Sequence, residues 1–67
     1  MKYTEEQKNR LGGHLSHLLK NGIVSKRKLY EGLKMHRQTF DLRIANPSLF
    51  KDKDVLFLCS LLDFKLN

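Results

Sequence analysis

The chain has 67 residues, enough for one domain with a thin hydrophobic core but too few for a large enclosed active-site cleft. Hydrophobic residues make up 40% of the sequence and charged residues 30%, a composition that argues against a disordered or membrane-embedded chain. Thirteen Lys and Arg against seven Asp and Glu give a net charge of +6, which favours a polyanionic partner. We therefore expect a single domain over residues 1–67.

The location of the charge is more informative than its total. Residues 20–43 contain seven basic side chains and only Glu31 and Asp41 as acids, a local excess of five. Cys59 is the only cysteine, so no intramolecular disulfide can form. Residues 1–6 lack the apolar core of a signal peptide, and the longest apolar stretch is far shorter than the roughly 20 residues of a membrane-spanning helix. We expect a cytoplasmic protein without a membrane partner.

A first helix is predicted over about residues 4–20. Thr4 and Gln7 have the spacing of a capping box, in which each side chain binds a free backbone N–H at the helix start. Asn21 and Gly22 provide a stop, because glycine readily adopts the left-handed conformation that ends helices. Between these signals, leucines recur at helical spacing and form one apolar stripe: Leu11, Leu15, Leu18 and Leu19.

Two shorter helices follow. Ser25 is a favourable N-cap for a second helix, whose apolar positions are Leu29 and Leu33. After a break at residues 34–35, a third helix is predicted over residues 36–45, with Phe40 and Ile44 facing inward. The proline at position 47 ends it, because the residue before a proline disfavours the helical conformation.

The fourth predicted helix begins near Asp52 and Asp54, whose negative charge suits the start of a helix. It is apolar on two sides. We expect one stripe to face the core, formed by Val55, Cys59, Leu62 and Leu66. A second stripe lies about half a turn away, formed by Phe57, Leu61 and Phe64, and it must be covered either by the first helix or by a second copy of the chain. The sequence thus predicts an all-α bundle of four helices, or five if a short turn is helical.

Residues 25–40 resemble the helix-turn-helix of the phage-repressor family, which includes Cro and the lambda repressor. The family has apolar residues at four positions that are matched here by Leu29, Leu33, Met35 and Phe40. The sequence departs from it at Tyr30, where the family usually has a small residue, and at Lys34, where it usually has a glycine. The resemblance implies a sequence-specific DNA-binding regulator of transcription, repressor-like and of phage or mobile-element origin. It would act in the bacterial cytoplasm or nucleoid, including that of an infected host.

The resemblance places the third helix in the major groove of duplex DNA. With Phe40 taken as the inward direction, the candidate base-reading residues lie on the outward face or its edge: Arg37, Gln38, Asp41 and Leu42. Arginine pairs with guanine and glutamine with adenine, so Arg37 and Gln38 are the strongest candidates. The candidate phosphate-binding residues begin at the start of the second helix, where free N–H groups favour an anion. They are Ser25, Lys26, Arg27, Lys28, Lys34, Thr39 and Arg43.

Other functions have weaker support. His14 and His17 lie on one helix, but a zinc site needs three or four ligands, so we expect no metal and no cofactor. No nucleophile, base and orienting group converge, so we expect neither catalysis nor a small-molecule substrate. The alternative to DNA binding is a helical protein-interaction module, such as an adaptor, a virion component or an inhibitor. A homodimer through Phe57, Leu61 and Phe64 fits the resemblance, since helix-turn-helix proteins often bind DNA as two-fold dimers.

Overall fold

The computed structural model describes residues 2–66 and confirms the all-α bundle, with no strand in that range. Its elements are α1 (Glu5–Lys20), α2 (Lys26–Gly32), α3 (Arg37–Ala45), a short 3-10 turn (Pro47–Leu49) and α4 (Asp52–Leu62). The four predicted helices are therefore present, and the short turn supplies the fifth helical segment. No helix within residues 2–66 has both the length and the apolar character needed to cross a bilayer.

The predicted capping signals set the starts of α1 and α2. The Gln7 N–H donates to Thr4 Oγ1 at 3.1 Å, and the Thr4 N–H donates to Gln7 Oε1 at 2.9 Å, which completes the capping box. The Lys28 N–H donates to Ser25 Oγ at 3.5 Å. Gly22 has a φ of +67°, so the chain leaves α1 through the left-handed conformation that glycine allows.

One hydrophobic core joins all four helices. Its buried side chains are Leu11, Leu15, Leu29, Phe40, Phe50, Val55, Leu58 and Leu66. Phe40 and Phe50 meet edge to face, with ring centroids 6.5 Å apart. Because Phe40 is fully buried, α3 is fixed with its opposite face toward solvent.

The 3-10 turn packs closely against α1. A Cβ atom built on Gly12 would lie 2.1 Å from Pro47 Cγ, so no larger residue fits without movement of the turn. This glycine therefore accounts for the close approach of the two segments. The turn follows directly after α3, and its contact with α1 fixes the position of the end of α3.

The prediction for the chain after α4 was wrong in part. The helix ends at Leu62, where Asp63 takes a left-handed conformation, so neither Phe64 nor Leu66 continues a helical stripe. The Phe64 ring instead stacks on His14 of α1, with centroids 4.2 Å apart and planes 11° apart. Leu58, which neither predicted stripe contained, is fully buried. The second stripe was expected to be covered either by α1 or by a second copy of the chain, and α1 covers Phe64.

Candidate nucleic-acid interface

The turn between α2 and α3 consists of four residues, 33–36. Lys34 lies in it with a φ of 58°, a left-handed conformation that is unfavourable for a residue with a Cβ atom. The Lys34 N–H donates to the Glu31 carbonyl and the Met35 N–H donates to the Tyr30 carbonyl, both at 3.0 Å. The turn therefore has the backbone conformation that a glycine would favour, although a lysine occupies it.

Tyr30 is accommodated where α2 meets α3. Its side chain is half-buried, and its ring lies 6.3 Å from that of Phe40 at an angle of 52°. The two aromatic rings thus fill the space between the helices. A large residue at this position is compatible with a packed helix-turn-helix.

The outer face of α3 carries the predicted base-reading residues except Asp41. Arg37, Gln38 and Leu42 are exposed, and these three residues are called the α3 face below. The predicted outward direction, opposite Phe40, is confirmed. Leu42 is 65% exposed, so an apolar side chain stands in solvent between polar neighbours. Such a face can form hydrogen bonds and one apolar contact with a surface opposite it.

Asp41 lies at the edge of the α3 face and is paired with two cations. Its carboxylate forms salt bridges with Lys26 at the start of α2 and with Arg37 one turn earlier on α3, the latter at 3.9 Å. The carboxylate therefore connects the two helices and holds the Arg37 guanidinium near the α3 face. It is less free to accept a hydrogen bond from a ligand than its position alone would indicate.

Arg43 is directed toward α4. Its Nη1 lies 3.2 Å from Oδ2 of Asp54, and the Arg43 and Asp54 side chains are only 22% and 5% exposed. Asp54 Oδ2 also accepts the Lys51 N–H at 3.2 Å. The Arg43 side chain thus stabilises the junction of α3 and α4, and its guanidinium is engaged within the protein.

The sequence interpretation missed this pair because it assigned Asp54 to the helix dipole alone. The available signal was the spacing of Asp54 and Leu58, which are four residues apart and therefore on one side of α4. Both side chains are buried. A carboxylate on a core-facing side of a helix needs a cation within reach, and Arg43 meets that need.

The remaining predicted phosphate-binding residues surround α2 and the turn. Arg27 is exposed and pairs with Glu31 at 3.0 Å, and this hydrogen bond raises the pKa of Arg27. Lys28 and Lys34 are exposed and lack an acidic partner within residues 2–66. Thr39 is half-buried, while the Ser25 hydroxyl caps α2. The positive charge without an acidic partner in this region therefore lies on Lys28 of α2 and on Lys34 in the turn before α3.

Residues 2–66 contain no group of three or more His, Cys, Asp or Glu side chains placed to hold a metal ion. Burial raises the pKa of the Cys59 thiol, which disfavours its reactive thiolate form. The α3 face and the cations beside it are thus the candidate site. No family model, curated protein or solved structure matches the chain.

Proposed function

We propose that the protein is a sequence-specific duplex-DNA-binding regulator that inserts α3 into the major groove. The observation that carries the proposal is the position of the α3 face. Arg37, Gln38 and Leu42 are exposed on a helix anchored by Phe40, while the exposed Lys28 on α2 and Lys34 in the turn before α3 lack acidic partners among the described residues. A rigid helix with polar side chains outward and cations at its flanks is suited to a groove lined by phosphates.

The roles divide according to chemistry. Arg37 donates two hydrogen bonds to guanine, Gln38 pairs with adenine, and Leu42 contacts a thymine methyl group. Asp41 positions Arg37 through their salt bridge, a role we favour over direct base reading because its carboxylate already has two cationic partners. The protein supplies no reaction and acts by occupying its site on the DNA.

The phosphate contacts come from α2 and the turn. Lys26, Arg27, Lys28 and Lys34 provide positive charge, and Ser25 and Thr39 provide neutral polar groups close to them. Arg43 is left out of this set because its guanidinium is paired with Asp54. The resemblance of residues 25–40 to the phage-repressor family supports the same arrangement and favours a regulator of phage or mobile-element type.

The test is a mobility-shift titration on mixed duplex DNA at two salt concentrations. Each neutralised phosphate contributes a slope of about 0.9 in log affinity against log salt, so four cations predict a loss on the order of 100-fold for a fourfold rise in salt. Lys28→Ala lowers the slope by about one contact. Lys65→Ala, which removes the same charge from the C-terminal segment, is the matched control and leaves the slope unchanged.

The titration also discriminates against the alternative function. Absence of binding at low salt would overturn the proposal and leave the helical interaction module as the better explanation of the surface. Equal effects of Lys28→Ala and Lys65→Ala would mean that binding depends on total charge and not on the site described here.

A further inference from the structure

An open groove of about 610 Å³ lies between α2 and α4. It is called the α2–α4 groove below, and the side chains that matter for its chemistry are Ile23, Lys28, Leu29, Phe57 and Leu61. Leu29 belongs to the core, whereas Ile23 and Leu61 are 62% and 55% exposed. Apolar side chains thus stand in solvent on both sides of a concave surface, which is a common property of interaction sites.

Phe57 connects this groove to a smaller one. A Cβ atom on Gly32 would lie 2.7 Å from Phe57 Cζ, so the phenylalanine ring rests directly on the α2 backbone. Phe57 also lines a groove of about 150 Å³, together with Lys34, Lys53 and Asp54 among others. The two grooves therefore share Phe57 and lie next to each other along α2 and α4.

The charge at the two neighbouring grooves is positive. Lys28 lines the larger groove, and Lys34 and Lys53 line the smaller one. None of these three lysines has a carboxylate partner among the described residues. The single acid in the lining, Asp54, is buried and paired with Arg43. An occupant that reaches both grooves must therefore offer apolar side chains to Ile23 and Leu61 and negative charge to the lysines.

The combination of apolar side chains and lysines distinguishes three possible occupants, namely a second copy of the chain, duplex DNA and an amphipathic helix. In a two-fold dimer the same surface meets itself, so a second copy would bring two sets of lysines together, and like charges across an interface are unfavourable. Duplex DNA would satisfy the lysines but would leave Ile23 and Leu61 without apolar contacts. An amphipathic helix with acidic flanks satisfies both the lysines and the apolar side chains.

We propose that the α2–α4 groove binds an acidic amphipathic helix of a partner protein. Apolar side chains of the helix, spaced at i, i+3 or i+4, and i+7, contact Ile23, Phe57 and Leu61. Asp or Glu residues beside them pair with Lys28 and Lys34.

Through Lys28, occupation of the groove regulates DNA binding, an inference that rests on the proposed function. The same side chain is a phosphate contact in that proposal and lines the groove here. A carboxylate that pairs with Lys28 removes it from the phosphate backbone. The acidic helix therefore competes with duplex DNA, without covering the α3 face.

The test uses displayed random peptides of about 15 residues, a length at which an isolated helix becomes marginally stable. They are selected against the full chain without DNA, so the result is independent of the DNA-binding proposal. We expect enrichment of acidic peptides with helical apolar spacing. Their affinity falls about tenfold for Leu61→Gln. Leu56→Gln is the matched control, since Leu56 lies on the same helix, is 60% exposed and lines neither groove.

NMR shift mapping and sedimentation complete the test. Bound peptide shifts the signals of Ile23 and Leu61 and leaves those of Leu56 in place, while circular dichroism verifies that both variants are folded. Enriched peptides that are basic or neutral, or that bind both variants equally, overturn the proposal. A wild-type dimer that becomes monomeric in Leu61→Gln also overturns it, because a second copy then occupies the groove.

Discussion

The α3 face and the α2–α4 groove have the same sign of charge nearby but different neighbours. Around the α3 face the cations stand among polar side chains, and a single leucine interrupts them. In the α2–α4 groove Lys28 stands among apolar side chains that include Ile23 and Leu61, and Lys34 and Lys53 line the smaller groove next to it. Positive charge alone indicates only an anionic partner. The side chains between the cations decide whether that partner is a phosphate backbone or an acidic amphipathic helix.

The helix α2 contributes to both surfaces. Lys26 lies on it close to α3, where it pairs with Asp41, whereas Lys28 and Leu29 line the groove toward α4. Lys28 is also a proposed phosphate contact, so this side chain belongs to both surfaces. Substitutions on α3 or α4 are therefore expected to separate the two surfaces, whereas substitution of Lys28 is expected to affect both.

The largest effect is expected from Arg43→Gln, which tests which arginine belongs to the α3 face. Removing one partner of a largely buried ion pair leaves Asp54 without its cation, and we expect a loss of about 2–3 kcal/mol in the free energy of unfolding. Urea denaturation measures it. Arg37→Gln is the matched control on the same helix, since the Arg37 side chain is 72% exposed. It leaves stability nearly unchanged and weakens binding to DNA.

Two outcomes would contradict the roles assigned to Arg37 and Arg43. A stable Arg43→Gln variant with lost DNA affinity would place Arg43 among the phosphate contacts after all. Loss of stability in Arg37→Gln would instead mean that the salt bridge to Asp41 stabilises the fold.

A smaller effect separates the α3 face from the groove. Gln38→Ala is expected to cost roughly 1–3 kcal/mol on the preferred DNA site and little on mixed sequences, because only base contacts carry sequence information. It leaves the affinity for the acidic peptide unchanged, whereas Leu61→Gln has the reverse pattern. Lys28→Ala weakens both interactions. Mobility shifts on two DNA sequences and peptide titration followed by fluorescence anisotropy measure these affinities.

Two outcomes would remove the distinction between the surfaces. Parallel losses in Gln38→Ala and Leu61→Gln would indicate a single binding surface. An identical loss on both DNA sequences in Gln38→Ala would show that α3 does not read the bases.

Local signals in the sequence predicted most of the scaffold. Thr4 and Gln7 fix the start of α1 through a capping box that involves only residues close in sequence. The positions of Leu11 and Leu15 on one side of α1, and of Phe40 on α3, follow from helical period alone. For the same reason the outward direction of Gln38 could be predicted.

Features that depend on distant partners could not be predicted in this way. Phe64 leaves the helical stripe because Asp63 ends α4 in a left-handed conformation, and its ring then meets His14, which is 50 positions away in sequence. Arg43 is removed from the candidate phosphate contacts by Asp54 on another helix. The α2–α4 groove arises only when α2 and α4 are brought together, so neither helix alone indicated it.

The smallest effect is expected at Lys34. Its backbone conformation lowers the stability of the fold, whereas its side chain is proposed to strengthen DNA binding. Its left-handed conformation, with a φ of 58°, is unfavourable for any residue with a Cβ atom, and glycine removes that cost. Because glycine also gains entropy in the unfolded chain, we expect Lys34→Gly to raise the free energy of unfolding by only about 0.5 kcal/mol. The variant loses one phosphate contact, so the salt slope of DNA binding falls by about 0.9. Lys34→Ala removes the same charge but keeps the Cβ atom, and it is expected to reproduce the change in slope without the gain in stability. If urea denaturation gives equal stabilities for the two variants, the turn is not strained at Lys34, and an unchanged salt slope in both would exclude this lysine from the DNA interface.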